Sequence, residues 1–355
     1  MSLIPATILT GFLGSGKTTL LKRILQEAHG QKIAVIENEF GEENIDSDIL
    51  VSETKEQIIQ MSNGCICCTI REDLRGALRD LAEKKRKGEL DFDRVVIETT
   101  GLADPGPVAQ TFFMDDEIAE SYLLDSILTL VDAKHAAGQL NDRQEARRQV
   151  GFADQIFISK TDLVAKDEVD ALIHRLKHMN PRAPQKAVHF GEVALSEVFD
   201  LRGFNLNAKL DIDPDFLKDE EHDHAGHDHA DHEHGEHCDH PSHAHDHATH
   251  GHHHHHEDDV KSFVFKSDKA FDAAKLEDFL GAIVNIYGPR MLRYKGVLNM
   301  KGTDRKVIFQ GVHQLMGSDL GPAWGADEKR TNKMVFIGID LPKDIFLQGM
   351  EQCLV

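Results

Sequence analysis

The sequence has few aromatic residues, few cysteines and no long apolar run. Of its 355 residues, 6% are aromatic and five are cysteines, an odd number that does not suit a disulfide framework. No apolar run approaches the roughly 20 residues that a membrane-spanning helix needs, and the N-terminus lacks the pattern of a secretory signal. We therefore predict a cytoplasmic protein without a membrane partner.

Basic residues are also fewer than acidic residues. The chain carries 40 Lys and Arg against 61 Asp and Glu, a formal net charge of -21. Much of this excess is local, because residues 219–259 hold 13 acidic residues, no basic residue and 17 of the 23 histidines. With no basic excess anywhere in these totals, we expect no nucleic-acid partner.

Short apolar runs alternate with stretches long enough for helices. The runs lie at 4–9, 33–36, 95–97, 127–131 and 156–158, and helical stretches include 72–87 and 168–178. This alternation predicts an α/β fold with a mostly parallel sheet that helices cover on both faces.

After residue 217 the composition changes abruptly, and ordered patterns resume near residue 262. The later part has apolar runs at 263–265, 291–297, 307–312 and 334–339, and a predicted helix whose apolar face carries Phe271, Leu276, Phe279, Leu280 and Ile283. We predict a nucleotide-binding domain over 1–217, a disordered loop rich in His, Asp and Glu over 218–260, and a smaller α+β domain over 261–355.

A phosphate-binding loop follows the first apolar run. The segment Gly11-Phe-Leu-Gly14-Ser-Gly16-Lys17-Thr18 matches the eight-position pattern and precedes a helical stretch. Glycines let backbone N–H groups point at phosphate oxygens, Lys17 adds a cation, and the Thr18 hydroxyl is a Mg²⁺ ligand. The other interpretation, a glycine-rich turn that binds nothing, is disfavoured by the position of the segment between strand and helix.

Two further segments complete the predicted nucleotide site. The apolar run 95–97 is followed by Glu98, a second acid for Mg²⁺ through bound water, and then by Gly101, where a backbone N–H can approach the γ-phosphate. The segment Ser159-Lys160-Thr-Asp162 resembles the guanine-recognition element of GTPases, with Ser159 where Asn is common. The Asp162 carboxylate can accept both guanine donors, which favours GTP over ATP.

Three cysteines cluster at Cys65, Cys67 and Cys68. Thiolates suit Zn²⁺, Cu(I) or Co²⁺ better than Mg²⁺, and the acidic stretch from Glu37 to Glu42 is a candidate source of further ligands. Buried, inert cysteines are the alternative interpretation. Cys353, alone near the terminus, is predicted to be a packing residue.

The histidine-rich segment predicts weak, unselective metal binding, because a flexible chain must be ordered around each ion. An inert spacer or an engineered tag is the alternative. The candidate ligands include His222, His224, His227, His229, His252 and His254.

The order of these motifs resembles that of the CobW-type P-loop GTPases, especially their YjiA-like members. The motifs are the phosphate loop, Glu-Asn-Glu-Phe-Gly-Glu, Cys-x-Cys-Cys, Glu-Thr-Thr-Gly, Ser-Lys-Thr-Asp, the histidine-rich segment and the small last domain. The resemblance implies a metallochaperone that hydrolyses GTP with Mg²⁺ and delivers Zn²⁺ or Co²⁺ to a client metalloprotein. It also implies that the segment from Gly14 to Thr19, including Ser15, binds phosphates, that Lys160 and Asp162 bind guanine, and that the best metal ligands are Cys65, Cys67, Glu37 and Glu42.

No glutamine that would align the hydrolytic water and no arginine finger can be assigned, so we expect slow intrinsic turnover. Two alternatives stay open: a passive zinc or nickel buffer that stores metal in the histidine-rich segment, and a nickel-insertion GTPase. The sequence also leaves open whether copies of the chain assemble.

Overall fold

The computed structural model describes residues 3–27, 31–38, 58–61, 69–203 and 258–355. Its first part contains a seven-stranded sheet with the order β3-β2-β4-β1-β5-β6-β7, in which every neighbouring pair is parallel. The strands are β1 (Ile4–Gly11), β2 (Ile33–Asn38), β3 (Ile58–Met61), β4 (Arg94–Glu98), β5 (Tyr122–Asp132), β6 (Gln155–Ser159) and β7 (Gln185–Val188).

Helices connect the parallel strands, as parallel pairing requires. They are α1 (Lys17–Glu27), α2 (Thr69–Lys87), α3 (Pro105–Met114), α4 (Asp116–Ser121), α5 (Ala136–Asp142), α6 (Gln144–Phe152) and α7 (Lys166–Met179). The predicted α/β class with a parallel sheet is confirmed. Sequence periodicity missed the short strands β3 and β7, which carry too few residues to produce a clear apolar run.

Alternate residues of the central strands pack into separate apolar clusters. Ile8 and Ile97 belong to one cluster, whereas their chain neighbours Leu9 and Val96 belong to the other, together with Leu20 of α1. Because side chains of a strand alternate between the two faces, this division means that both faces of the sheet are buried. The near-continuous apolar character of these strands follows from that double burial.

The second part is a five-stranded antiparallel sheet with the order β11-β10-β9-β12-β8. Its elements are β8 (Val260–Ser267), α8 (Ala273–Tyr287), β9 (Met291–Asn299), β10 (Arg305–Val312), β11 (Leu315–Ala323), β12 (Asn332–Ile339) and α9 (Lys343–Gln352). The predicted smaller α+β domain is therefore confirmed. The boundaries predicted for the domains stay predictions; in the structure β8 begins at Val260.

The prediction that Phe271 lies on the helix was wrong. Phe271 lies before α8 and makes isolated bridges with Met300 and Leu354. It is fully buried and packs in the same cluster as Leu276 and Leu280, so apolar periodicity identified a core residue but not its backbone conformation. Cys353 is also buried in this cluster, in agreement with its predicted packing role, and burial raises the pKa of its thiol.

The two sheets share a core and a buried ion pair. Leu292 and Val335 from the antiparallel sheet belong to the same apolar cluster as Ile8 of the parallel sheet. The Arg293 guanidinium of β9 donates to the Asp154 carboxylate, with an Nη1–Oδ2 distance of 2.9 Å and an Nη2–Oδ1 distance of 2.7 Å. Both side chains are almost fully buried.

None of the helices in the described ranges is long and apolar enough to cross a membrane.

Candidate nucleotide-binding site

The phosphate loop takes a backbone shape that only glycine adopts easily. Gly14 and Gly16 have φ values of 74° and 98°. A Cβ on Gly11 would lie 2.5 Å from the backbone oxygen of Leu130, so β5 leaves no room for a side chain there. The Lys17 ammonium donates to the backbone oxygen of Gly11 at 2.9 Å and so curls back across the loop. The loop therefore has the cradle geometry expected of a phosphate site.

Thr18 and Glu98 meet at the edge of this loop. The Thr18 hydroxyl donates to Oε1 of Glu98 at 3.1 Å, which places two hard oxygen atoms side by side at the start of α1 and the end of β4. Oxygen donors of this kind fit Mg²⁺, which prefers few protein ligands together with substrate phosphates. Thr19, the last predicted phosphate-binding residue, is exposed beside them.

The loop after β4 runs close to the phosphate loop. A Cβ on Gly101 would lie 2.6 Å from the backbone N of Leu13, so glycine is required for this approach. From the other side, the buried Gln149 amide of α6 donates to the backbone oxygens of Gly101 and Ala103 at 3.1 and 3.0 Å. Gln149 is a supporting residue that the sequence did not reveal, because no motif marks it.

The predicted guanine segment contacts the phosphate loop directly. The Ser159 hydroxyl donates to the backbone oxygen of Ser15 at 2.7 Å, and the Lys160 ammonium donates to that of Gly14 at 2.8 Å. Ser15 is itself fully buried. Asp162 is about half exposed, with its Oδ1 3.6 Å from Nδ1 of His189. A serine in place of the common asparagine thus still links the two loops.

Lys160 also joins a polar cluster with Asp132 and His135. Oδ2 of Asp132 lies 2.6 Å from the Lys160 Nζ and 2.9 Å from the His135 Nδ1. Burial acts to raise the pKa of Asp132, but the hydrogen bonds and charges of the two partners outweigh it, and the net pKa lies below the ordinary value. The carboxylate therefore stays ionised. These residues line a cavity of about 470 Å³ beside Gly14.

Asp132 was missed by the sequence analysis although a signal existed. It directly follows the apolar run 127–131, as Glu98 follows the apolar run 95–97. Carboxyl ends of parallel strands meet at one edge of the sheet, so an acid at either end is a candidate site residue.

Of the residues predicted to bind the zinc-class metal, only Glu37 lies among the described residues. It is the penultimate residue of β2, is mostly buried, and pairs in register with Glu98 of β4. Within the described ranges, no three or more His, Cys, Asp or Glu side chains form a metal-binding group. The other predicted ligands fall outside these ranges, namely Cys65, Cys67, Cys68, Glu42, His222, His224, His227, His229, His252 and His254.

The antiparallel sheet contacts the first turn of α3 through His313. This residue lies in the turn between β10 and β11 with φ of 52°, and its Nε2 is 2.6 Å from where a Cβ on Gly106 would be. Asp104 caps the same first turn of α3 by accepting from the Gly106 N–H at 2.9 Å, and it pairs with Arg148 at 2.7 Å. Burial lowers the pKa of His313 below its ordinary 6.5, although Asp104 opposes this.

We expect this contact to weaken in acid. An unfolded histidine takes up a proton near pH 6.5, whereas folded His313 stays neutral to lower pH, so its stabilising contribution is complete above pH 6.5 and is lost as the pH falls below it. His313→Asn keeps a residue that tolerates positive φ, and it should reduce the acid loss of stability by up to about 1.4 kcal/mol per pH unit. Urea unfolding at pH 7.5 and at pH 5.5 measures this difference; equal losses in both proteins would contradict it.

Comparisons with known proteins agree with this architecture. Residues 5–186 match the family model described as CobW/HypB/UreG, nucleotide-binding domain, and residues 260–354 match the cobalamin synthesis protein cobW C-terminal domain. The chain is 40% identical to the zinc chaperone YjiA of Escherichia coli, over 97% of this chain and 96% of that protein.

Other similarities cover nearly as much of the chain. It is 31% identical to the zinc chaperone CobW of Sinorhizobium, over 95% of this chain and 93% of that protein. Among solved structures, the crystal structure of Zn(II)-bound YjiA GTPase from E. coli superposes with a TM-score of 0.74 at 34% identity and covers all of both chains.

Proposed function

The chain belongs to the CobW family of P-loop GTPases. From this premise we propose that it is a zinc chaperone that binds and releases Zn²⁺ according to which nucleotide is bound. Relatives named zinc chaperones support the choice of zinc. The finer parts of the proposal are that Cys65 and Cys67 hold Zn²⁺ together with Glu37, and that a client metalloprotein receives it.

The pairing of Glu37 with Glu98 is the observation that carries this proposal. Glu98 touches the Thr18 hydroxyl of the phosphate loop, and Glu37 sits beside it on the next strand, where neighbouring strands lie about 4.8 Å apart. A change in charge at the phosphates therefore acts on an acid next to a proposed zinc ligand. Like charges on directly paired residues of neighbouring strands repel each other, so a cation bound to one carboxylate alters the basicity of the other.

The residues of the chain have distinct proposed roles in hydrolysis. Backbone N–H groups of the loop from Gly11 to Gly16 hold the phosphates, Lys17 neutralises charge that develops on the transferred group, and Asp162 accepts from the guanine edge. Thr18 and Glu98 would hold Mg²⁺, which would supply further neutralisation of the phosphate charge. Gln149 and Gly101 fix the path of the loop that approaches the γ-phosphate.

Thermodynamic linkage gives the test. We expect the full chain to bind Zn²⁺ at its tight site with an affinity that differs about 5- to 150-fold between GDP and a non-hydrolysable GTP analogue, and Zn²⁺ must shift the ratio of the affinities for the analogue and for GDP by the same factor. Calorimetry measures both. Cys65→Ala and Cys67→Ala should abolish the coupling, whereas Cys353→Ala, which removes a thiol in the C-terminal core, should preserve it.

The same measurements separate the alternatives. Equal zinc affinity with either nucleotide would contradict the chaperone. If deletion of residues 222–256 also removed nearly all zinc binding, the protein would be a passive buffer. Tighter binding of Ni²⁺ than of Zn²⁺ at the coupled site would favour a nickel-insertion GTPase, although general affinity orders must first be allowed for.

A further inference from the structure

Helix α7 carries two exposed histidines one turn apart. His174 and His178 are four positions apart, so they lie on one helix face, and both side chains are exposed. Their Nε2 atoms are 3.2 Å apart, and their ring centroids are 4.4 Å apart at an interplanar angle of 66°. The Nε2 atoms of the two rings therefore lie next to each other on the surface of the helix.

This separation is the one that a shared metal ion requires. Two nitrogen ligands at about 2.0–2.1 Å from a tetrahedral Zn²⁺ are themselves about 3.3 Å apart. The pair as it stands is within about 0.1 Å of that spacing, so binding needs little rearrangement of either side chain. Neutral imidazole is the ligand, so in the bound form each ring carries its proton on Nδ1 and donates the one lone pair of its Nε2 to the ion.

The positive charge of Arg175, next to His174, is balanced by a carboxylate. Arg175, which lies between the two histidines in sequence, pairs through both ends of its guanidinium with Asp258, with Nε–Oδ2 at 2.9 Å and Nη2–Oδ1 at 2.6 Å. Its charge is therefore neutralised. The backbone oxygen of His178 accepts from the Ser262 hydroxyl at 2.7 Å, so α7 is held firmly against β8 at this point.

We propose that His174 and His178 form a surface site for a divalent cation of the Zn²⁺, Cu²⁺ or Ni²⁺ class, with water in the remaining positions. Imidazole suits these ions and does not suit Mg²⁺ or Ca²⁺. The site lies beside Asp258, two residues after the last histidine of the histidine-rich segment in sequence. The site uses no residue of the nucleotide site or the cysteine cluster, so its existence does not depend on the proposed GTP-coupled function.

Site-resolved footprinting of the full chain tests the proposal. Diethyl pyrocarbonate modifies neutral imidazole, and trypsin releases His174 and His178 in separate peptides, 167–175 and 178–182. Without nucleotide, Zn²⁺ at ten times the dissociation constant should slow modification of both residues about ten-fold, because about one site in eleven stays free. His189, about half exposed, is the internal reference and should react at an unchanged rate.

Reciprocal variants separate a shared ion from independent effects. His174→Ala should remove the protection of His178, and His178→Ala should remove that of His174, while His189→Ala, a matched loss of an exposed histidine, should leave both protected. Both pair residues are exposed, so neither variant should unfold the chain. Unchanged rates for the pair in Zn²⁺, or protection of His178 that survives in His174→Ala, would overturn the proposal.

Discussion

Replacing Lys17 by alanine should lower the rate of GTP hydrolysis by about 10²- to 10³-fold, the cost typical of removing one preorganised group that stabilises transition-state charge. The Lys17 side chain is mostly buried, and its ammonium is held by the backbone oxygens of Gly11 and Phe12 at 2.9 and 3.3 Å. That anchoring fixes the charge before substrate arrives. Alanine removes the charge, whereas the backbone N–H groups of the loop remain and still bind phosphate.

Single-turnover hydrolysis together with nucleotide titration measures the effect. We expect the loss mainly in the rate of the chemical step and a smaller loss in affinity. Lys22→Ala is the matched control, since it removes the same charge from the same helix outside the phosphate loop, and it should hydrolyse GTP at the normal rate. A Lys17→Ala protein with more than a tenth of normal activity would exclude Lys17 as a catalytic residue.

Replacing Asp154 by alanine should cause the largest loss of stability, more than the 3–5 kcal/mol typical of breaking one buried ion pair. Its carboxylate accepts from Arg293 and from the Ile127 N–H, and Arg182 Nη2 lies 3.5 Å from its Oδ1. Burial, with the charge of Arg293 beside it, lowers the pKa of Arg182 to about 10. Removing the one acid therefore leaves two buried cations without their shared counter-charge.

The comparison with Arg293→Leu makes this prediction specific. Leucine removes one cation but leaves Asp154 with Arg182 and the Ile127 N–H, so we expect a smaller loss of about 3 kcal/mol. Urea unfolding followed by near-UV signals of both sheets measures each loss. Equal losses, or a double variant whose loss is the sum of the single ones, would contradict a shared buried network.

Loss of the Asp154 carboxylate should also weaken the packing between the two sheets. Arg293 donates to the backbone oxygens of Phe152 and Gly203 as well as to Asp154, at 3.0 and 2.7 Å. Phe152 in turn packs against His313, with ring centroids 5.2 Å apart, so the ion pair lies next to the contact between His313 and the first turn of α3. Variants of Asp154 are therefore expected to weaken the antiparallel sheet's hold on the nucleotide domain.

Much of the nucleotide site could be predicted because its motifs are local. The pattern from Gly11 to Thr18 fixes a loop shape through the positive φ of its glycines, and the run ending in Glu98 fixes an acid at a strand end. Such features depend on neighbours within a few positions. The assignment of the nucleotide-binding roles to these residues stays a prediction, as does that of the zinc-binding role to Cys65 and Cys67.

Supporting residues could not be predicted in the same way. Gln149 contacts the loop after β4 and His313 contacts the first turn of α3, but Gln149 lies on a helix without a motif and His313 lies in a hairpin turn of a different sheet. Sequence periodicity likewise placed Phe271 on a helix, because it reports burial and does not distinguish a helix from the strand-like segment before it.

The sequence by itself indicated the alternation of strands and helices, although not β3 and β7, together with the phosphate loop and the separate smaller α+β part, because apolar periodicity and glycine position act over short distances along the chain. Only the tertiary structure decided that Glu37 pairs with Glu98, that Lys160 reaches Gly14 and Asp132, and that Arg293 enters a buried network with Asp154. These contacts depend on which strands become neighbours and on how the two sheets pack. Strand order and sheet packing are determined by burial of the whole core rather than by any one segment.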